Sequence, residues 1–333
     1  VEGQGVAPVT LAVIGAGPCG LATGIAAWRA GVECILFDRG CVVASISGYP
    51  THMTFFSTAD RLELGGVPFV VVGEKPTRRE ALRYYQRLAT HFELDVRQYE
   101  EVRSVERHGP YYRLLTRTHT GAERTYSAVN IAVATGYFDS PNMLGIPGEE
   151  LPKVRHGYRE PHVYYRQHCV VVGGGNSAVD AALELQRWGA HVTIVHFAPA
   201  LDPNVKPWVR PEIEARLRDG DIAARFGTRL VAVRPESVLL RDEASGSIEE
   251  LRNDRVLAMT GYTPDGTMLR TMGVTFDPVT GIPDHDPATM ETNVPGVFVA
   301  GALTAGYNAN RVFIENGREH GERIVGSIVR RET

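Results

Sequence analysis

Two blocks of the chain share one pattern of apolar and small residues. The first opens with an apolar run from Leu11 to Ile14, passes through Gly15-Ala16-Gly17-Pro18-Cys19-Gly20 and continues as a small-residue amphipathic stretch to Ala30. That order predicts a strand, a tight turn and a helix, with Gly31 stopping the helix and Val32 to Phe37 forming a second strand that ends at Asp38. The second block runs His168 to Val172, Gly173-Gly174-Gly175-Asn176-Ser177-Ala178, a helical stretch to Trp188, a stop at Gly189 and a strand from His191 to Val195. Each block is followed by a hairpin pattern, Tyr111 to Thr118 with Arg124 to Ser127 in the first case and Leu230 to Arg241 with Ile248 to Leu251 in the second. An apolar strand then closes each half, at Val129 to Tyr137 and at Arg255 to Tyr262. The simplest reading is an internal duplication, with Pro141 to Pro161 as a Pro/Gly-containing connector.

The glycines give the repeats a chemistry. G-x-G-x-x-G is weak alone, but between a strand and a helix, with an acid roughly 20 residues on, it is a strong dinucleotide signature. Gly15 permits the turn, Gly17 lets backbone approach a pyrophosphate, Gly20 allows close helix–strand packing, and Asp38 is placed to bind an adenosine ribose. The second copy reads G-x-G-x-x-A. A nucleophilic Ser177 is excluded because Val179 stands where G-x-S-x-G needs its last glycine.

The strands after the two turns end differently, in Asp38 and in His196. Loss of the carboxylate, with cations nearby, suits a 2′-phosphate, so NADPH is preferred to NADH at the second site. His196, Lys206 and Arg210 are the candidate cations; the competing reading places them on a solvated loop.

Composition narrows the partners. The chain has 333 residues, 43% hydrophobic and 22% charged, which suits about two globular domains and excludes global disorder. Its net charge is −4 with no basic tract, so neither nucleic acid nor an anionic membrane surface is expected and a small solute is favoured. No run approaches the roughly 18 apolar residues of a membrane helix, which predicts a soluble, cytoplasmic protein. Cys19, Cys34, Cys41 and Cys169 form no C-x-x-C pair, and no histidine lies in a metal-binding spacing, so no disulfide framework and no metal are expected. Glycine is in excess, at 35 against the roughly 23 that average usage predicts. Gly15, Gly17, Gly20, Gly136, Gly173, Gly174, Gly175, Gly261 and Gly301 in the motifs named here account for much of that excess.

Together with Ala134-Thr135-Gly136 and Val297-Phe298-Val299-Ala300-Gly301, the tandem turns resemble the two-dinucleotide flavoprotein reductases, similar to thioredoxin reductase. Gly17-Pro18-Cys19-Gly20, Tyr49 to Ser57, Asn176-Ser177-Ala178 and the stretch from Ala309 to Arg318 resemble, more narrowly, the bacillithiol disulfide reductases. The resemblance implies an α/β fold of two Rossmann-like, three-layer ββα domains, with an NADPH domain (161–288) inserted into a discontinuous FAD domain (1–140 and 289–333) and a connector at 141–160. Hinges are expected within Asp139 to Arg166 and Pro283 to Asn293. On the FAD side it implies contacts from Gly15, Gly17, Pro18, Cys19, Gly20, Asp38, Arg39, Met53, Phe55, Val102, Ala134, Thr135, Gly136, Gly301, Ala302, Arg311 and Val312. On the NADPH side it implies Gly173, Gly175, Asn176, Ser177, Ala178, His196, Lys206 and Gly261. Ala302 replaces the aspartate usual after the C-terminal glycine, and the inserted domain lacks the thioredoxin reductase C-x-x-C. A homodimer or homotetramer is implied by analogy.

Cys19 and His52 are the catalytic candidates. At a helix start, backbone N–H groups favour a Cys19 thiolate able to attack a disulfide, while a bound FAD pyrophosphate opposes it, so the sign of the shift stays open. The other reading of Cys19 is a small packing residue. His52 is placed to donate a proton near the flavin or the leaving thiolate, or else is structural. Cys34 and Cys169 read as core. A C-terminal helix from around Asn310 is expected to close over the flavin, with Glu315 and Arg318 as either site residues or surface charges. The leading function is therefore hydride transfer from NADPH to FAD and on to a small disulfide, by resemblance bacillithiol disulfide. The alternatives are electron transfer to a protein, as in ferredoxin–NADP reductases, and a non-catalytic flavin and nicotinamide sensor.

Overall fold

The computed structural model describes residues 7–138, 140–308 and 311–332. Strand β1 (Val9–Ile14) runs into helix α1 (Pro18–Ala30) and returns as β2 (Cys34–Asp38); α2 (Ala44–Gly48) and α3 (Arg78–His91) precede β3 (Asp95–Gln98). The antiparallel meander β4 (Glu100–His108), β5 (Tyr111–Thr118) and β6 (Glu123–Val133) follows. Strand β6 serves two layers. Its first half pairs with β5, while residues from Ala128 to Val133 run parallel to β1.

Alternation in β1 explains the layers. Leu11 and Val13 face the core under α1 and α3, whereas Ala12 and Ile14 face the core under the meander. A strand buried on both faces reads as a continuous apolar run, as 11–14 does.

The second unit comprises Pro141–Gly261. Its parallel sheet contains β7 (Val154–Arg155), β8 (His168–Val172), β9 (His191–His196), β10 (Ile222–Phe226) and, after the meander, β14 (Arg255–Ala258), in the order β10-β9-β8-β14-β7. Helices α4 (Asn176–Arg187) and α5 (Arg210–Arg218) lie in this unit, and β11 (Thr228–Val233), β12 (Ser237–Asp242) and β13 (Ile248–Arg252) form a separate three-stranded sheet. Leu230 to Arg241 is thus two strands, and the meander's last strand is broken before β14, unlike β6. Asn253, fully buried at the break, donates from Nδ2 to the carbonyls of His168 and Arg255.

The chain returns to the first unit at Tyr262, not near Thr289. After α6 (Thr267–Thr271), Leu269 and Val274 pack into the meander-side core with Val297 and Val299 of β15 (Val297–Val299), which pairs with β6. Pro283 to Asn293 therefore lies inside the first unit. Residues 141–160 are likewise no free connector, because β7 adds a parallel strand to β14. The chain ends with α7 (Ile314–Gly317) and α8 (His320–Glu332). Asn310 lies outside the described residues. In place of one covering helix there are these two, and at four residues α7 is too short to supply a helix-dipole site. No helix is long and apolar enough to cross a membrane.

Candidate functional site

In the first unit the glycine turn is held from both sides. Gly15 donates its N–H to the Phe37 carbonyl at 2.7 Å, and Asp38 accepts from the N–H groups of Ala16 and Gly40, both at 2.8 Å. Asp38 thus fastens the turn itself, which motif reading did not foresee. A Cβ on Gly20 would collide with the Gly15 carbonyl, and one on Gly15, at φ 110°, with the Ala134 carbonyl. Ala134 and exposed Thr135 are thereby brought beside the turn, with Gly136 next along the chain. Gly17, the N-cap of α1, faces open space, and no side chain caps the helix behind Pro18.

The second turn repeats this geometry. Gly173 donates to Val195 at 3.0 Å, and a Cβ on it would stand 2.5 Å from the Met259 carbonyl. Gly175 caps α4 without a side-chain hydrogen bond and also faces open space; Ala178 is buried behind it and Ser177 is exposed. Two uncapped helix N-termini, each fronted by a glycine that leaves room, fit the pyrophosphates of FAD and of a nicotinamide dinucleotide.

The surroundings revise several assignments. Lys206 is buried and its Nζ bonds Asp180 Oδ2 at 2.8 Å, while its backbone N–H donates to Asn176 Oδ1. Asn176 Nδ2 donates to the Asn204 carbonyl, so this side chain braces the 204–206 loop. Arg210 bonds the Asp202 carbonyl and Glu214. His196 is buried, with its ring 2.5 Å from where a Gly174 Cβ would stand, and burial moves its pKa below 6.5. Its Nδ1 has no hydrogen-bond partner among the described residues. The expected cations are therefore paired, or neutral at pH 7. Gly261 closes the second unit, its carbonyl accepting from the Asn142 N–H at 2.9 Å.

Around the first site, Phe55 packs into the helix-side core and Val102 into the meander-side core. Met53 is half-buried and His52 exposed on a turn. Arg78 fastens this segment by donating to the carbonyls of Ile46 and Ser47, and its own N–H bonds the Met53 carbonyl. Arg39 is exposed and helps hold the Asp265 carboxyl below its usual range, behind the larger contribution of Thr267. Arg311 is exposed and Val312 half-buried. Glu315 meets Arg61 at 3.7 Å, and Arg318 donates to the carbonyls of Asp60 and Glu63, so each reaches another segment instead of its helical neighbour.

Cys19 is packed inward. Cβ atoms built on Gly301, at φ 69°, and on Gly317 would each stand 2.9 Å from its sulfur. Burial pushes the thiol up to about 12 in the protein without bound nucleotide. Cys34 and Cys169 are also pushed up to about 12 by burial. Ala302 stands half-buried beside Gly301. His320, absent from any motif, is buried and accepts the Gly301 N–H at Nδ1, 3.1 Å away. The described residues contain no group of three His, Cys, Asp or Glu able to hold a metal.

Two ββα units with matching open glycine turns define a protein with two dinucleotide sites. Residues 12–301 match the family model for pyridine nucleotide-disulphide oxidoreductases. Bacilliredoxin reductase Bdr of Bacillus subtilis is 43% identical over 96% of this chain and 97% of its own. The solved bacillithiol disulfide reductase Bdr (YpdA) from Bacillus cereus superposes with TM-score 0.94 at 42% identity, covering 97% of this chain and 99% of that one. Its Staphylococcus aureus counterpart gives 0.92 at 36% identity, covering 98% and 100%. Thioredoxin reductase of T. acidophilum, at 20% identity and TM-score 0.78 over 98% and 99% of the two chains, shares the fold. The chain belongs to the pyridine nucleotide-disulphide oxidoreductase family, in the group of the Bdr reductases, and is a flavoenzyme dependent on FAD and NAD(P)H.

Proposed function

We propose that the protein reduces a low-molecular-weight disulfide of the bacillithiol class, drawing on NADPH. The observation that carries this reading is the pair of uncapped helix N-termini behind Gly17 and Gly175, in a chain so close to bacillithiol disulfide reductases. When bound, FAD and NADPH would supply the redox chemistry, a hydride from nicotinamide to flavin and an electron pair onward, which with two protons cleaves the disulfide to two thiols. The first turns of α1 and α4 bind pyrophosphate through backbone N–H groups, and Asp38 keeps the first turn in shape. Exposed Thr135 and the Ala300–Ala302 turn flank the first site, and His52 is the proton donor to the leaving thiolate.

For Cys19 the proposed catalytic role requires its sulfur to leave the Gly301 and Gly317 contacts, because a thiol near 12 is almost wholly protonated at neutral pH. The B. subtilis relative's name supports a second reading, in which the disulfide belongs to a bacilliredoxin protein. Purified enzyme is expected to oxidise NADPH faster on addition of bacillithiol disulfide alone. Stimulation only when a mixed-disulfide bacilliredoxin is added would favour the second reading, and rapid ferredoxin reduction without either would overturn both. Cys19→Ala is expected to retain flavin reduction by NADPH and lose disulfide turnover; undiminished turnover removes Cys19 from the mechanism. We further place the enzyme in the cytoplasm, where its four free cysteines stay reduced, as a homodimer or homotetramer that light scattering would detect.

A further inference from the structure

We propose that His320 is the positioning residue of the C-terminal flavin-site turn, its Nδ1 holding the Gly301 N–H and so keeping Ala300-Gly301-Ala302 against the first turn of α1. The link to flavin rests on the FAD reading of that turn.

Three contacts close a ring. Gly321, next to His320, lies so near the α1 backbone that a Cβ there would stand 2.7 Å from Thr23 N and Cα, so the start of α8 is seated directly on α1. From that seat the buried imidazole reaches Gly301 at 3.1 Å, and Gly301 in turn lies against Cys19 of α1. Gly301 is pinned at its other polar group as well, since its carbonyl accepts from Thr304 Oγ1 at 2.8 Å. The five-residue 3-10 helix that begins at Gly301 has no side-chain cap of its own, so without the imidazole its first N–H is buried and unpaired. Ala302 supplies no carboxylate to hold the turn from the ligand side.

Accepting at Nδ1 requires the neutral ring with its proton on Nε2, and the neighbours enforce that state. Burial first, then Arg323 and His285, push His320 down to about 4, against Glu319 pulling the other way. Arg323 is itself tied to Glu319 at 3.0 Å and to the Pro287 carbonyl at 3.2 Å, and His285 Nδ1 lies 2.6 Å from the Pro283 carbonyl. Because the folded value lies below the ordinary 6.5, protonation works against the fold as pH drops from about 6.5 towards 4, and it turns the acceptor into a donor facing an N–H.

The test uses the full chain stripped of flavin, comparing wild type, H320L and H320N, whose amide oxygen takes the acceptor's place. Hydrogen exchange across 297–306 is expected to be about tenfold faster in H320L and unchanged in H320N, with FAD affinity falling about tenfold or more only in H320L. Wild-type protection and affinity in H320L would overturn the proposal. Should H320L not fold, exchange in wild type, corrected for intrinsic rates, is expected to lose protection as pH falls towards 4 while H320N keeps it; parallel profiles would overturn it. Wild type that binds no FAD would instead refute the flavin reading, leaving the exchange result to judge the hydrogen bond.

Discussion

The sulfur of Cys19 and the backbone of Gly317 are in contact between the start of α1 and the end of α7, so close that a Cβ at Gly317 would stand 2.9 Å from Sγ. Gly317→Ala is expected to destabilise the first unit by about 1–3 kcal/mol through overpacking. Adding Cys19→Ala should return much of that loss, since it removes the atom in the way. A urea double-mutant cycle with no coupling would show that the strain is absorbed elsewhere.

The same packing sets the chemistry of the thiol. With Cys19 near 12, its alkylation at pH 8 in the flavin-free protein should run roughly three orders of magnitude slower than a free cysteine's. Peptide-mapped iodoacetamide labelling separates it from Cys41, which is likewise half-buried. Labelling at the free-thiol rate would mean that the Gly301 and Gly317 contacts open readily.

At the second turn, His196 is neutral at pH 7 because burial lowers its pKa. A 2′-phosphate placed beside the ring favours the imidazolium, so NADPH affinity should tighten as pH falls from about 7.5 to 5.5 while NADH affinity stays flat. Fluorescence titrations with both cofactors, repeated on His196→Ala, measure this. Parallel pH profiles for the two cofactors in wild type would remove His196 from phosphate recognition.

Lys153 joins the two sheets of the second unit. Its buried Nζ donates to the carbonyls of Pro235, Ser237 and Asn253 at 3.2, 3.3 and 2.9 Å. Lys153→Met strands those acceptors and is expected to cost about 2–4 kcal/mol, with faster hydrogen exchange in β12 and little change in the first unit. An unchanged melting curve would assign the join to the apolar core alone.

The sequence by itself determined the two strand–turn–helix blocks, the hairpin of β5 and β6, and the glycines at Gly15, Gly17 and Gly20 with their copies at Gly173 and Gly175. These features are local, since residue period and backbone sterics are written in a few consecutive positions. Strand β4 and the division of Leu230 to Arg241 into two strands emerged only in the structure. Tertiary structure alone decided what surrounds the polar groups. Lys206 meets Asp180, Asp38 turns to Ala16 and Gly40, Cys19 faces Gly301 and Gly317, and His320 reaches Gly301. The return of the chain at Tyr262 likewise depends on Leu269 and Val274 finding the first unit's core. Charge and proton affinity follow from burial and through-space neighbours, and residues that meet from opposite ends of a 333-residue chain leave no periodic mark along it.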